Sequence, residues 1–236
     1  MSLAIPKKKV PKKPNIGVVI QARMTSKRFP GKTMALLNGK PVLRHVIERC
    51  KQIGNSNTRV IVAVPDTDES EPMLVLADKL GVHNFCGSEN NVLERYYHAA
   101  KFFELDVIMR ITADCPLISP TVCNEVLDVS LWRKTDYCSN IFPVRTYPKG
   151  LDCEVFTLDT LECAYLLAKE NEEKEHVTIW MQNNSSDLRT ACVTQKVDKS
   201  EDNWCVDYPH DIPRLENIIA LLSKTKGKKN GNGRSH

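Results

Sequence analysis

No stretch of the 236-residue chain approaches the ~18 uninterrupted apolar residues that a membrane-spanning helix needs. The cations near the start are followed by no apolar region within signal-peptide reach, which argues against secretion and for a cytoplasmic protein. Nine cysteines are scattered without a single Cys-x-x-Cys pair, so neither a zinc ribbon nor a redox dithiol is indicated. They read instead as small buried hydrophobes in a reducing compartment. No internal repeat is found. Acids are missing from both ends: Lys7, Lys8, Lys9, Lys12 and Lys13 lie at the start, and Lys224, Lys226, Lys228, Lys229 and Arg234 at the finish. Setting those ten cations aside leaves about 23 basic against 29 acidic residues, so the formal charge of +4 belongs to the ends. Residues 1–14 and 224–236 are expected to be disordered basic tails, and 15–223 one folded domain. An acidic core fits poorly with a basic nucleic-acid-binding face.

What the chain does contain is alternation. Ile16 to Ile20, Val60 to Val64, Val82 to Cys86 and Val107 to Ile111 are short apolar runs of the kind buried in parallel sheets. Between them, helical patterns follow Pro41, span Glu71 to Leu80 and Val92 to Glu104, and resume from Pro120 to Lys134. This βαβ order predicts an α/β fold, a mostly parallel sheet with helices on both faces in three layers. The second half is less regular. Leu151 to Phe156, Leu188 to Val193 and Trp204 to Asp207 read as strands. Leu158 to Lys169 and Asn171 to Gln182 read as helices, and Asp207 sits near the N-cap of a last helix ending about Leu222. A mixed sheet with an antiparallel excursion accommodates these.

The segment after the first strand gathers Arg23, Lys27, Arg28 and Lys32 in one polar loop turned by Pro30-Gly31. Open α/β sheets bind ligands beyond the carboxyl ends of their strands, and four cations there suit a polyphosphate. Asp114 and Asp207 each follow a predicted strand, so both carboxylates are expected at that same edge. Two hard-oxygen donors facing a basic loop make a site for Mg²⁺ with phosphate oxygens.

Six blocks then stand in one order: Gln21-Ala22-Arg23 through Arg28-Phe29-Pro30-Gly31-Lys32; Gly87-Ser88-Glu89-Asn90-Asn91 through Tyr97; Arg110-Ile111-Thr112-Ala113-Asp114-Cys115-Pro116; Gly150-Leu151-Asp152-Cys153-Glu154-Val155-Phe156; Glu175-His176-Val177-Thr178; and Val206-Asp207-Tyr208-Pro209. Together they resemble the sugar-activating cytidylyltransferases. The match is best to the spore-coat polysaccharide branch, which is related to the synthetases for CMP-linked ketodeoxyoctonate and sialic acid. The resemblance implies a nucleotide-diphospho-sugar transferase fold. It also implies attack by a sugar hydroxyl or phosphate on the α-phosphorus of CTP, with pyrophosphate released, for surface polysaccharide synthesis. It assigns Arg23, Arg28 and Lys32 to the triphosphate, and Asp114 and Asp207 to Mg²⁺. Gln21, Ala22, Gly31, Gly87, Ser88, Glu89, Asn91 and Arg110 fall to the nucleotide, and Asp152, Glu154 and His176 to the sugar. The implied partners are CTP and a sugar or sugar acid, with no specific nucleic acid, no membrane and a homodimer as in relatives.

Thr25, Lys27 and Phe29 depart from that pattern, where glycine, a small hydroxyl residue and leucine are common; none removes an expected ligand. Two other readings compete. Asp66-Thr67-Asp68 resembles the Asp-x-Asp of glycosyltransferases but lies in a polar loop that reads as solvated. A catalytically silent nucleotide binder would not need Arg23, Lys32, Asp114 and Asp207 together.

Overall fold

The computed structural model describes residues 10–11 and 13–230. The tail expectation for 1–9, 12 and 231–236 lies outside the described residues. In chain order the elements are β1 (Ile16–Gln21), the two-residue strands β2 (Leu36–Leu37) and β3 (Lys40–Pro41), α1 (Val42–Cys50), β4 (Thr58–Pro65) and α2 (Glu71–Lys79). Then come β5 (His83–Gly87), α3 (Val92–Phe102), β6 (Val107–Thr112), α4 (Pro120–Arg133), β7 (Tyr137–Ser139) and β8 (Glu154–Thr157). The chain finishes with α5 (Leu158–Leu167), α6 (Asn171–Glu175), α7 (Ile179–Asn183), β9 (Thr190–Cys192) and α8 (Asp211–Asn230).

Seven strands form one sheet in the order β5-β4-β1-β6-β8-β7-β9. The first four run parallel, and β8 is antiparallel to both of its neighbours. Because side chains alternate across a strand, β1 feeds both faces. Val18 and Ile20 pack with Leu43, Val46 and Met73 of α1 and α2. Val19 packs with Leu93 and Tyr96 of α3 and Leu161 of α5. That two-sided burial is why the strand reads as one unbroken apolar run. On α1, Val42, Leu43, Val46, Ile47 and Cys50 are all fully buried; each large aliphatic contributes about 1.5–3 kcal/mol. Asn91, Ser119 and Thr157 cap α3, α4 and α5 by accepting from backbone N–H groups of the first turn.

Four expectations change. The predicted strand at 204–207 is irregular chain, next to an isolated bridge between Lys149 and Asn203. The last helix begins at Asp211, whose Oδ2 accepts from the backbone N–H of Asp207 and of Tyr208, both at 2.8 Å. That carboxylate reaches back to the chain entering the helix, so Asp207, four residues before α8 begins, is not the N-cap that was expected, and α8 extends past Leu222 into the segment read as a tail. The helix expected over 171–182 is broken at Val177, which adopts φ 52 with its side chain fully buried. A β-branched residue in that region costs about 1–3 kcal/mol, offset here by core burial beside Trp180 and Met181. The β2–β3 hairpin was not anticipated, although Asn38-Gly39, both at positive φ, is a strong two-residue hairpin signal.

Candidate active site

The carboxyl ends of β1 and β6 open into a cavity of about 780 Å³. The loop leaving β1 is closed by its own bonds: Gly31 N–H donates to Met24 O at 2.9 Å, and Thr33 Oγ1 donates to Arg23 O at 2.9 Å. Gly31 sits at φ 71, where a side chain would be strained, and the turn it makes presents Lys32. The Lys32 ammonium stands 2.6 Å from Asp114 Oδ2 and 3.1 Å from Asp207 Oδ1. Arg28 reaches the same Asp207 oxygen at 2.7 Å and lies 5.3 Å over the Tyr208 ring. Burial works against the charge on Lys32, but Asp114 and then Asp207 outweigh it and hold the ammonium above its ordinary pKa. Burial likewise pushes the Asp114 carboxyl up, and Lys32 reverses this so that it lies below the usual carboxylate range. Both stay charged near neutrality.

Asp207 is brought there by backbone stitching. Gly150 adopts φ 97, and a Cβ on it would lie 2.7 Å from the carbonyl carbon of Trp204. Trp204 N–H donates to Lys149 O at 2.7 Å, and Val206 N–H donates to Asp114 O at 2.9 Å. The 203–207 segment is thus gripped between the 149–150 turn and the end of β6.

Gln21, Ala22, Arg23, Arg28, Lys32 and Arg110 all line this cavity, as do Asp114, Asp152, His176 and Asp207. Glu89 lines an adjoining hollow of about 430 Å³ that shares Arg23 and Lys27. Gly31, Gly87, Ser88 and Asn91 line neither; they shape the loops, Asn91 by capping α3 and Ser88 Oγ by accepting from Asn91 N–H at 3.2 Å.

Glu154 is the clear departure from the expected sugar side. It is 1% exposed and does not line the cavity. Its carboxylate accepts from Arg110 and from the Tyr137 hydroxyl at 2.7 Å. Arg110 in turn donates to Gln21 Oε1 at 3.0 Å. Burial disfavours the Arg110 charge, yet Glu154 raises its pKa overall. Glu154 is therefore a positioning residue, because β8 pairs antiparallel with β6 and sets residues 110 and 154 side by side.

Sequence reasoning missed several residues. Arg145 holds Asp152 in a two-pronged ion pair at 2.6 and 2.8 Å. Glu175 lines the cavity and meets Arg23 at 3.5 Å. Cys115 and Cys205 line it with their sulfurs 3.8 Å apart. Arg95 lines it from α3. A charged residue on the apolar stripe of that helix, among Val92, Tyr96 and Ala99, was the available signal. Asp66 and Asp68, the glycosyltransferase alternative, are exposed and line neither hollow.

A protein from Methanocaldococcus jannaschii described as uncharacterized is 39% identical over 166 residues, covering 70% of this chain and 66% of that protein. The spore coat polysaccharide biosynthesis protein SpsF of Bacillus subtilis is 29% identical over 170 residues, covering 70% and 69%. The 3-deoxy-manno-octulosonate cytidylyltransferase of Tolumonas auensis is 38% identical over 116 residues, 47% of this chain and 43% of that one. The chain thus spans about two thirds of the first two relatives and under half of the third. Among solved structures, a cytidylyltransferase from Leptospira borgpetersenii superposes with TM-score 0.82 at 28% identity, covering 95% of this chain and all of that one. A CMP:2-keto-3-deoxy-manno-octonic acid synthetase complexed with CTP shares the fold, with TM-score 0.67 at 18% identity and coverage of 88% and 99%. The cytidylyltransferase family model matches residues 17–230, and with that match over most of its length the chain belongs to the cytidylyltransferase family.

Proposed function

We propose that this protein couples CTP to a sugar or sugar acid. The acceptor hydroxyl or phosphate oxygen attacks the α-phosphorus, the bond from that phosphorus to the bridging oxygen breaks, pyrophosphate leaves with the electron pair, and a hydroxyl nucleophile gives up its proton to solvent. One observation carries the reading: Lys32 held between Asp114 and Asp207 at the mouth of a cavity also lined by Arg23, Lys27 and Arg28. Phosphoryl transfer is mostly positioning and charge stabilisation. Fixed cations aimed at developing negative charge are the groups such a reaction needs.

In this reading Arg23, Arg28 and Lys32 grip the triphosphate and offset charge on the departing pyrophosphate. Gln21, Ala22 and Arg110 support the nucleotide from the sheet, while Gly31 shapes the phosphate loop. The 87–91 stretch, with Gly87, Ser88, Glu89 and Asn91, borders the nucleoside. Asp152, steadied by Arg145, and His176 face the acceptor, Asp152 accepting from its hydroxyls. The donor chemistry also fits Mg²⁺: Asp114 and Asp207 already converge on one cationic centre, the Lys32 ammonium, and two carboxylates are what that ion takes when phosphate oxygens complete its shell. Bound there, Mg²⁺ would neutralise phosphoryl charge and help orient the acceptor oxygen. The names of the octulosonate cytidylyltransferases and of the spore coat protein support a sugar acid or polysaccharide precursor as acceptor.

The test is thermal denaturation with CTP, UTP, GTP and ATP, each with and without Mg²⁺, followed by pyrophosphate release against a panel of sugar acids and sugar phosphates. Ligand at ~100 times its dissociation constant stabilises by about 2.7 kcal/mol. For a domain of this size that is a rise of about 5–11 °C. A CTP-selective rise enhanced by Mg²⁺ is expected; flat responses to all four nucleotides would sink the reading.

A further inference from the structure

Arg95 takes no part in the phosphate chemistry above, yet its surroundings are those of a ligand-binding group. It projects from the core-facing side of α3 and is only 2% exposed. Burial pulls its guanidinium down to about 10, with Arg23 nearby acting in the same direction. Among the described residues no carboxylate forms an ion pair with it. One terminal nitrogen donates to the Ser88 carbonyl, while Nε, fully buried, meets no acceptor. A buried cation with an unmet donor is costly unless something completes it. Its side chain lines the 780 Å³ cavity beside Gln21 and Val92.

Topology decides which part of a nucleotide could do so. The ion cluster of Lys32, Asp114 and Asp207 lies where β1 and β6 end. Arg95 bonds to the loop after β5, which the strand order places on the other side of β1. Reaction at the α-phosphorus over the β6 side, with the outer phosphates on the basic loop, leaves the nucleoside to extend toward β5. At that end the Arg95 guanidinium lines the cavity itself while Glu89 lies in the adjoining hollow, so the base edge that meets Arg95 should present acceptors. Cytosine does so at adjacent atoms, N3 and O2, the negative end of its dipole. Uracil carries a proton on N3 and would set donor against donor.

We propose that Arg95 selects the pyrimidine, its guanidinium donating to the N3 and O2 edge of cytosine. This rests on the CTP reading above. The test measures dissociation constants for CTP and UTP with the wild-type protein, Arg95→Lys and Arg95→Met. The lysine variant keeps the charge without the planar fork, and the methionine variant keeps the volume without either. The wild type should prefer CTP by about 10- to 100-fold, the range of a good two-pronged base contact. Both variants should bring the two nucleotides within about threefold of each other, chiefly by weakening CTP. The ligand-free Arg95→Met protein should melt no lower than the wild type, because an unpaired buried charge has been removed. Weakening of CTP and UTP by the same factor, with the preference kept, would overturn the assignment while leaving CTP as substrate. A wild-type protein that binds neither nucleotide would overturn both.

Discussion

Replacing Lys32 by alanine removes the ammonium that stands 2.6 Å from Asp114 and 3.1 Å from Asp207. At an effective dielectric of about 20, those contacts represent roughly 6 and 5 kcal/mol of gross attraction. Desolvation of three charged groups offsets most of it, leaving a net loss of about 2–4 kcal/mol for breaking a largely buried cluster. At about 2–4 °C per kcal/mol for a domain of this size, melting should fall by about 4–16 °C. The two carboxylates then face each other with no cation between them, so Mg²⁺ alone should raise the melting temperature of the variant more than that of the wild type. Turnover, followed by pyrophosphate release at saturating CTP, should drop about 10²–10³-fold, the usual cost of losing one preorganised charge-stabilising donor. Turnover within about threefold of wild type would remove Lys32 from the chemistry, and identical Mg²⁺ responses would refute the electrostatic account.

The same cluster fixes a pH signature. The raised pKa of Lys32 means its contribution is complete below about 10.4 and fades as pH climbs through the folded value. The lowered pKa of Asp114 means its contribution is complete above about 3.9 and fades as pH falls through the folded value. The stability gap between wild type and Lys32→Ala should therefore be flat from about pH 5 to 9 and narrow at both extremes. A gap that slopes across that middle window would contradict the assignment.

Glu154→Gln should lower stability by about 2–4 kcal/mol, because Arg110 is left buried without a counter-charge. Urea denaturation would show it, and CTP affinity should fall as well, although Glu154 does not line the cavity; an unmoved urea midpoint would refute its positioning role. Gly150→Ala forces a side chain into φ 97 and against the Trp204 carbonyl carbon. It should cost about 1–3 kcal/mol of stability and also slow turnover by displacing Asp207, so retention of both melting temperature and turnover would show that the stitch is dispensable.

The parallel half of the fold was legible because burial on both faces writes itself into the sequence as apolar runs. β1, β4 and β6 fall within two residues of their expected ends. The polar loops after β1 and β6 were legible for the related reason that strand ends expose what they carry. What could not be read was set by tertiary contact. Asp211 and Asp207 are both aspartates near a helix start, and only the folded chain shows that Asp211 turns back onto the entering backbone while Asp207 faces Lys32. Val177 breaks a helix that its neighbours' pattern would continue, because the core takes its side chain. Glu154 looked like a sugar ligand in sequence, and only its pairing opposite Arg110 across β6 and β8 turns it inward. The Asn38-Gly39 hairpin, by contrast, is legible from its turn dipeptide alone.

The reversal of strand direction between β6 and β8 has a consequence for how such a protein could diversify. Everything assigned here to the nucleotide lies before residue 115, at the carboxyl ends of strands that all point one way. The groups proposed to face the acceptor come later, from the approach to an opposed strand and from the short helices beyond it. A change of loop length or side chain between 141 and 153, or around the break at Val177, can therefore reshape the acceptor wall without disturbing the strands that carry Arg23, Lys32 or Asp114. Only the 203–207 segment belongs to both halves, since it carries Asp207 while resting on the 149–150 turn. Swapping acceptor loops between relatives should succeed where that single seam is preserved, and fail where it is cut.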